Sequence, residues 1–259
     1  MSMTAAAALD QKLSIGDVIG DVFRIIGRNA VTFIGLALVL TAIPSALVGY
    51  FSAQLTVPGA TPSIGQSLQM AWAIPVLLVG NLILQAALMH GAVADMTGRQ
   101  ASLGACLATG LRKFLPLLGL SIVMGVALMF GFILLLVPGI MMACAWAVAG
   151  PVLIAEGGVF RALGRSAELT RGNRWRIFGL FLIYGVAAFV IQMVLTMLIV
   201  GVAARGSPQG VVFLTNTVVS PIISLISGVI VTTGGAVLYA TLRRLREGVG
   251  VDALASIFD

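Results

Sequence analysis

A chain of 259 residues that is 59% hydrophobic and 9% charged, with a mean hydropathy of +1.11, has too few polar side chains to clothe a soluble globule. Its net charge of +6 comes from basic residues gathered beside the ends of apolar runs, a placement that argues against nucleic acid as a partner and for anionic lipid headgroups. Several apolar runs reach the roughly 20 residues a helix needs to cross about 30 Å of hydrocarbon, which predicts helical spans rather than a β-barrel.

Residues 1–12 read as a loose tail without the pattern of a secretory signal, so the first span is expected to be retained. Ser14 is a predicted N-cap, with Asp17 completing an acidic capping box. After it Ile15, Val18, Ile19, Val22 and Ile26 share one helical face and Asp17, Asp21, Arg24 and Arg28 the other, the pattern of an interfacial helix. The first span is predicted over about 30–51 with a kink at Pro44, and the second over about 68–94, after an uncharged loop containing Pro58, Gly59 and Pro62.

Asp95, Arg99, Arg112 and Lys113 mark a return to the first side. There Ser102 is expected to cap a second short amphipathic helix through Leu103, Cys106, Leu107 and Leu111, and Pro116 to begin a new helix. The third span is predicted over about 115–137 and the fourth over about 140–155, an antiparallel hairpin closed by a tight turn at Pro138-Gly139. The fifth, about 177–203, follows the basic segment Glu156–Arg176, and the sixth, about 211–242, follows a loop at Arg205, Gly206 and Pro208. Arg243, Arg244, Arg246 and Glu247 close the membrane domain, 13–247, leaving 248–259 as a second tail.

Of the fifteen basic residues only Arg205 then falls on the far side, a bias that predicts both termini in the cytosol. The expected fold is an all-α membrane protein of six transmembrane helices with three cytosolic amphipathic interfacial helices. Units opening at Ser14, at Ser102 and over Gly157–Asn173 suggest three repeats of interfacial helix plus helical hairpin.

Within Glu156–Arg176, Arg161, Arg165 and Glu168 lie on one helical face, Phe160, Leu163 and Ala167 on the other, and Gly172 is placed to end the helix. One reading is a topology anchor at headgroup level. The sharper one is a lipid or phosphate pocket in which Arg161, Arg165, Arg171, Arg174 and Arg176 converge and Glu156 orients one fork. A polar site inside the membrane is the other candidate, built from Asn81 and Gln85 on the second span, His90 near Asp95, and Gln192 with Thr196 on the fifth; helix-helix hydrogen bonds are the plainer use of such residues.

Ser220, Ser224 and Gly228, like Ala143 and Ala147, form small-residue stripes suited to close packing, and Pro75, Pro151 and Pro221 are positions where spans could break. Cys106 and Cys144 read as packing residues. With one histidine, dispersed acids and no nucleophile or phosphate-loop motif, neither catalysis nor a metal or cofactor is expected.

Pro151, Glu156, Gly157, Ala162, Leu163, Arg165, Ser166, Leu169, Thr170, Gly172, Trp175 and Arg176 resemble the signature of bacterial membrane proteins related to the glycerophosphoryl diester phosphodiesterase membrane domain, and YciC-like inner-membrane proteins look similar. The opening LSIGDVIGDVFRIIGRN resembles theirs too. The resemblance implies a multi-pass protein of the bacterial inner membrane. In some relatives a soluble phosphodiesterase barrel follows and supplies the activity; the sequence to Asp259 is expected to carry none.

The leading expectation is a non-enzymatic protein whose cytosolic amphipathic helices and arginines engage anionic phospholipids in envelope organisation or lipid homeostasis. Two alternatives are a small transporter or channel with a polar site between the spans, and a scaffold for a membrane-protein partner, with a homo-oligomer built on the small-residue stripes.

Overall fold

The apolar runs are divided into helices partly at prolines, through π segments, and partly at residues such as Leu135 and Trp146–Val148. The computed structural model describes residues 13–55, 64–65, 68, 71–96, 98, 102–203 and 208–247, and no strand occurs among them. Both expected tails, the turn region at Pro58–Pro62, Arg99 and Arg205 lie outside the described residues.

The first helix, α1 (Ile15–Arg28), is followed by a first span of α2 (Ala30–Ala37), a π-helical segment (Leu38–Ala42) and α3 (Ile43–Leu55). The second and third spans are α4 (Ala73–Met96) and α5 (Leu103–Leu134). The fourth is split into α6 (Leu136–Ala145) and α7 (Ala149–Glu156), and α8 (Val159–Leu169) leads to the fifth, α9 (Arg174–Ala203). The sixth comprises α10 (Pro208–Leu214), a second π segment (Thr215–Val219) and α11 (Ser220–Glu247). These are six helical stretches long and apolar enough to cross a membrane.

The core runs along α4 and α11, which pack on each other and bury Leu84, Leu88, Met89, Val237, Tyr239 and Leu242. α5 lies along α4, α6 against α5, and α1 against α11 through Val18, Val22 and Ile25. α9 stands at the rim against α6 and α10, turning Phe181, Val186, Phe189 and Val190 outward, as a lipid-facing helix does.

The two π segments share a physical cause. Leu40 lies four residues before Pro44, so its carbonyl would pair in an unbroken helix with an N–H that proline lacks. The helix widens instead, Ile43 N–H donating to the Leu38 carbonyl, and Gly80 of α4 seats its backbone on Leu40: a Cβ there would lie 2.0 Å from the Leu40 oxygen. In the sixth span Ser220 N–H donates back to the Thr215 carbonyl just before Pro221, and Gly49 of α3 packs on Asn216, where a Cβ would lie 2.1 Å from its oxygen. The tightest backbone approaches thus use Gly49, Gly80 and Gly110 rather than the Ser220 and Ala143 stripes, although Gly228 of the former does touch Leu84.

Three expectations are corrected. Ser102 caps a helix, its Oγ accepting from Ala105 N–H, but no separate second interfacial helix exists: α5 continues through Pro116. Cys106 is buried and Gly110 sits against the Ile83 carbonyl, so packing on α4 carries the helix across the proline. The hairpin turn falls on Leu135, which is extended (φ −165°, ψ 143°), and Pro138-Gly139 lies in the first turn of α6, where a missing N–H would be unpaired anyway. Finally, the three units do not share one geometry: π segments mark the first and sixth spans, and the fourth is interrupted at Trp146–Val148 with Pro151 in the first turn of α7. Cys106 and Cys144 are both buried and not joined to each other.

Candidate functional site

The basic segment begins where α7 ends at Glu156. Gly157 (φ 74°) and Gly158 (φ 77°) reverse the chain in a backbone region closed to most side chains, and Gly172 (φ 86°) turns it again after α8. Between these turns Ala162, Leu163, Ser166 and Leu169 form the buried face of α8, which lies against the broken fourth span. Ala145 ends α6, so its carbonyl has no helical donor of its own. Ser166 Oγ donates to it at 2.8 Å; Thr170 Oγ1 lies 3.1 Å from the same oxygen and 2.9 Å from the Ser166 carbonyl, and its single proton serves one of them. Replacing Ser166 by Ala and Thr170 by Val together is expected to orphan that buried carbonyl and cost about 2 kcal/mol in unfolding free energy, against about 1 kcal/mol or less for either alone.

Arg165 is held by carboxylates on three sides. Nε lies 3.6 Å from Glu156 Oε2, Nη1 2.9 Å from Glu168 Oε2, and Nη2 contacts Glu247 Oε1 at the end of α11. Glu247 Oε2 pairs with Arg243 Nε at 2.9 Å, Arg243 Nη1 donates to Tyr239 Oη at 3.5 Å, and Tyr239 Oη donates to Glu156 Oε1 at 3.1 Å. The contacts close a ring that ties α7 and α8 to the sixth span. Sequence reasoning missed Tyr239, Arg243 and Glu247 as members. Their only local signal is Glu247 standing as the acid that ends an arginine run.

The segment's other arginines share none of these carboxylate partners among the described contacts. Arg176 donates to the Leu13 carbonyl while Asn173 Oδ1 accepts from Leu13 N–H at 3.4 Å, so this segment docks the start of α1. Arg246 donates to the Arg171 carbonyl. Arg174 is half-buried, and its Nε has no hydrogen-bond partner among the described residues. Arg161 and Arg171 are exposed, and so are Phe160 (77% exposed), which the sequence placed on the apolar face, and Trp175 (83% exposed). Glu156 and Arg165 therefore meet as expected, but the five arginines do not converge on one phosphate-sized pocket. Residues 13 and 247 come to the same end of the bundle, gathered by these contacts.

The intramembrane polar residues do not form one site either. Gln85 lines a cavity of about 360 Å³ between α4, α5, the fourth-span break and α11, with Ser121, Trp146, Gly150 and Thr232. Asn81, one turn earlier on α4, is exposed, and Gln192 Nε2 donates to Thr196 Oγ1 at 3.2 Å within α9. His90 is half-buried on α4. Asp95, itself buried, accepts from Asn29 Nδ2 at 2.9 Å and lies 3.4 Å from Arg28 Nε. Among the described residues no three His, Cys, Asp or Glu side chains are grouped to hold a metal ion.

Compared with known proteins, the chain matches no family model, no curated protein and no solved structure.

Proposed function

We propose that this is a non-enzymatic protein of a bacterial inner membrane whose charged end faces the cytosol and engages anionic phospholipid headgroups, in envelope organisation or lipid homeostasis. The observation that carries the reading is the outward face of the basic segment. Arg161 and Arg171 are exposed in the same segment as the exposed rings of Phe160 and Trp175, a composition of cations and aromatics that suits the headgroup layer. Arg165, held between carboxylates, is assigned a structural role, and the lipid-facing role falls to Arg161 and Arg171.

The same reading places the chain among the membrane proteins its central segment resembles. Several of the residues that carry the resemblance act on the fourth span: Ser166 and Thr170 satisfy Ala145, Glu156 and Arg165 share the ionic ring, and Gly157 and Gly172 make the turns.

The test is retention of phosphatidylglycerol after reconstitution in mixed phosphatidylglycerol and phosphatidylcholine vesicles. Arg161→Gln with Arg171→Gln is expected to reduce co-purifying phosphatidylglycerol at least about threefold, since each arginine near an anionic surface contributes about 1 kcal/mol. Unchanged retention in a folded double variant would sink the proposal.

A further inference from the structure

A second feature of the charged end uses none of those arginines. α1, the end of α4 and α11 surround an open cleft of about 730 Å³ whose lining mixes apolar side chains, among them Val18, Ile25 and Val237, with charged ones. Two ion pairs are internal to the lining: Arg24 Nη1 lies 2.8 Å from Asp21 Oδ1, and Arg28 Nε 3.4 Å from Asp95 Oδ1. That leaves Asp17 on the α1 wall and Arg244 on the α11 wall, each exposed and neither in an ion pair among the described residues.

We propose that this cleft takes the headgroup of a phospholipid carrying both a phosphodiester and a primary ammonium, a phosphoethanolamine, with Arg244 on the phosphate and Asp17 on the ammonium. The charges choose the ligand. A purely anionic headgroup would satisfy Arg244 and meet repulsion from Asp17; a free cation would do the reverse. A trimethylated ammonium offers Asp17 no N–H to accept, so phosphatidylcholine loses one of the two charge-assisted bonds. The cleft opens beside an interfacial helix, where a lipid arrives laterally, and its apolar lining suits the glycerol and first methylenes.

The intact protein would be reconstituted in nanodiscs of equal parts phosphatidylethanolamine, phosphatidylcholine and phosphatidylglycerol, and the lipids that stay bound on release read by native mass spectrometry. Phosphatidylethanolamine is expected to be retained over phosphatidylcholine by about fivefold or more, the worth of one charge-assisted hydrogen bond. Asp17→Asn should bring that ratio close to one, Asp17→Glu should restore it, and Arg244→Gln should lower retention of both lipids. Arg161→Gln with Arg171→Gln should leave the ratio unchanged while lowering phosphatidylglycerol, so that this inference and the preceding proposal fail separately. No preference for phosphatidylethanolamine, or a preference indifferent to Asp17→Asn, overturns the assignment. Displacement of the lipid by millimolar soluble glycerophosphoethanolamine would overturn the membrane source of the ligand; resistance to it supports a lipid.

Discussion

Gly80→Ala is expected to be the most damaging single methyl group that can be added to this protein, with Gly49→Ala close behind. The new Cβ would lie 2.0 Å from the Leu40 oxygen in the first case and 2.1 Å from the Asn216 oxygen in the second. In both the obstacle is backbone, which no rotamer change can clear, so the helices must separate. Overpacking of this kind costs about 1–3 kcal/mol, and separation also forfeits the Cα–H to carbonyl contact that the glycine allows. Thermal unfolding of the purified protein should show a loss near the upper end of that range for either variant. The control is Gly185→Ala on the outward-facing α9, where nothing lies within 4 Å and alanine is the better helix former. If the Gly80 and Gly185 variants melted alike, the close approach of α4 to the first π segment would be wrong.

Arg165→Gln is the second large effect. Removing the guanidinium leaves Glu156 and Glu247, at 15% and 23% side-chain exposure, facing each other without the cation that separated them. A fully buried ion pair broken on one side costs about 3–5 kcal/mol. Here Arg165 keeps 29% of its side-chain surface in contact with solvent, and Glu168 is largely exposed, so about 2 kcal/mol is the expected loss. Arg165→Lys should recover only part, because a single ammonium cannot present three directed donors to three carboxylates. Combining Arg165→Gln with Glu247→Gln should cost less than the sum of the two, with a coupling of about 1 kcal/mol in a double-mutant cycle. Additive losses would remove Glu247 from the ring. Lipid retention in Arg165→Gln should stay at the level of the unaltered protein, in contrast to the Arg161 and Arg171 variants.

These two effects also divide what could be read along the chain from what could not. The first span was expected over about 30–51 and runs Ala30–Ser52, because a bilayer-length apolar run bounded by polar residues is a local property. The packed face of α1 was legible in part: of the expected Ile15, Val18, Ile19, Val22 and Ile26, Val18 and Val22 are buried, and Ile25 rather than Ile26 joins them on the side of α1 that meets α11. The fate of each proline was not local. Pro44 and Pro221 follow π segments, Pro116 sits inside an unbroken helix, and Pro138 and Pro151 lie in first turns. Each residue removes one N–H, but which carbonyl is freed matters only through what comes to meet it, and that neighbour is distant in sequence.

The basic segment shows the same division. Its charge and the glycine that ends its helix, Gly172, were visible in the order of residues from Glu156 to Arg176; its buried face was not, because of the expected Phe160, Leu163 and Ala167 only Leu163 is buried, beside Ala162, Ser166 and Leu169, and Phe160 is exposed. The partition of its arginines was not: Arg165 is enclosed by Glu247 from the sixth span, Arg176 holds Leu13 of the N-terminal segment, and Arg161 and Arg171 are left outside. Sequence alone thus determined the six bilayer-length apolar helices and the gathering of charge beside their ends, since hydrocarbon thickness and the cost of burying charge act on short windows of chain. Only the tertiary structure decided which charges are satisfied within the protein and which stay exposed, because a guanidinium takes its role from carboxylates and carbonyls that the fold brings from elsewhere in the chain.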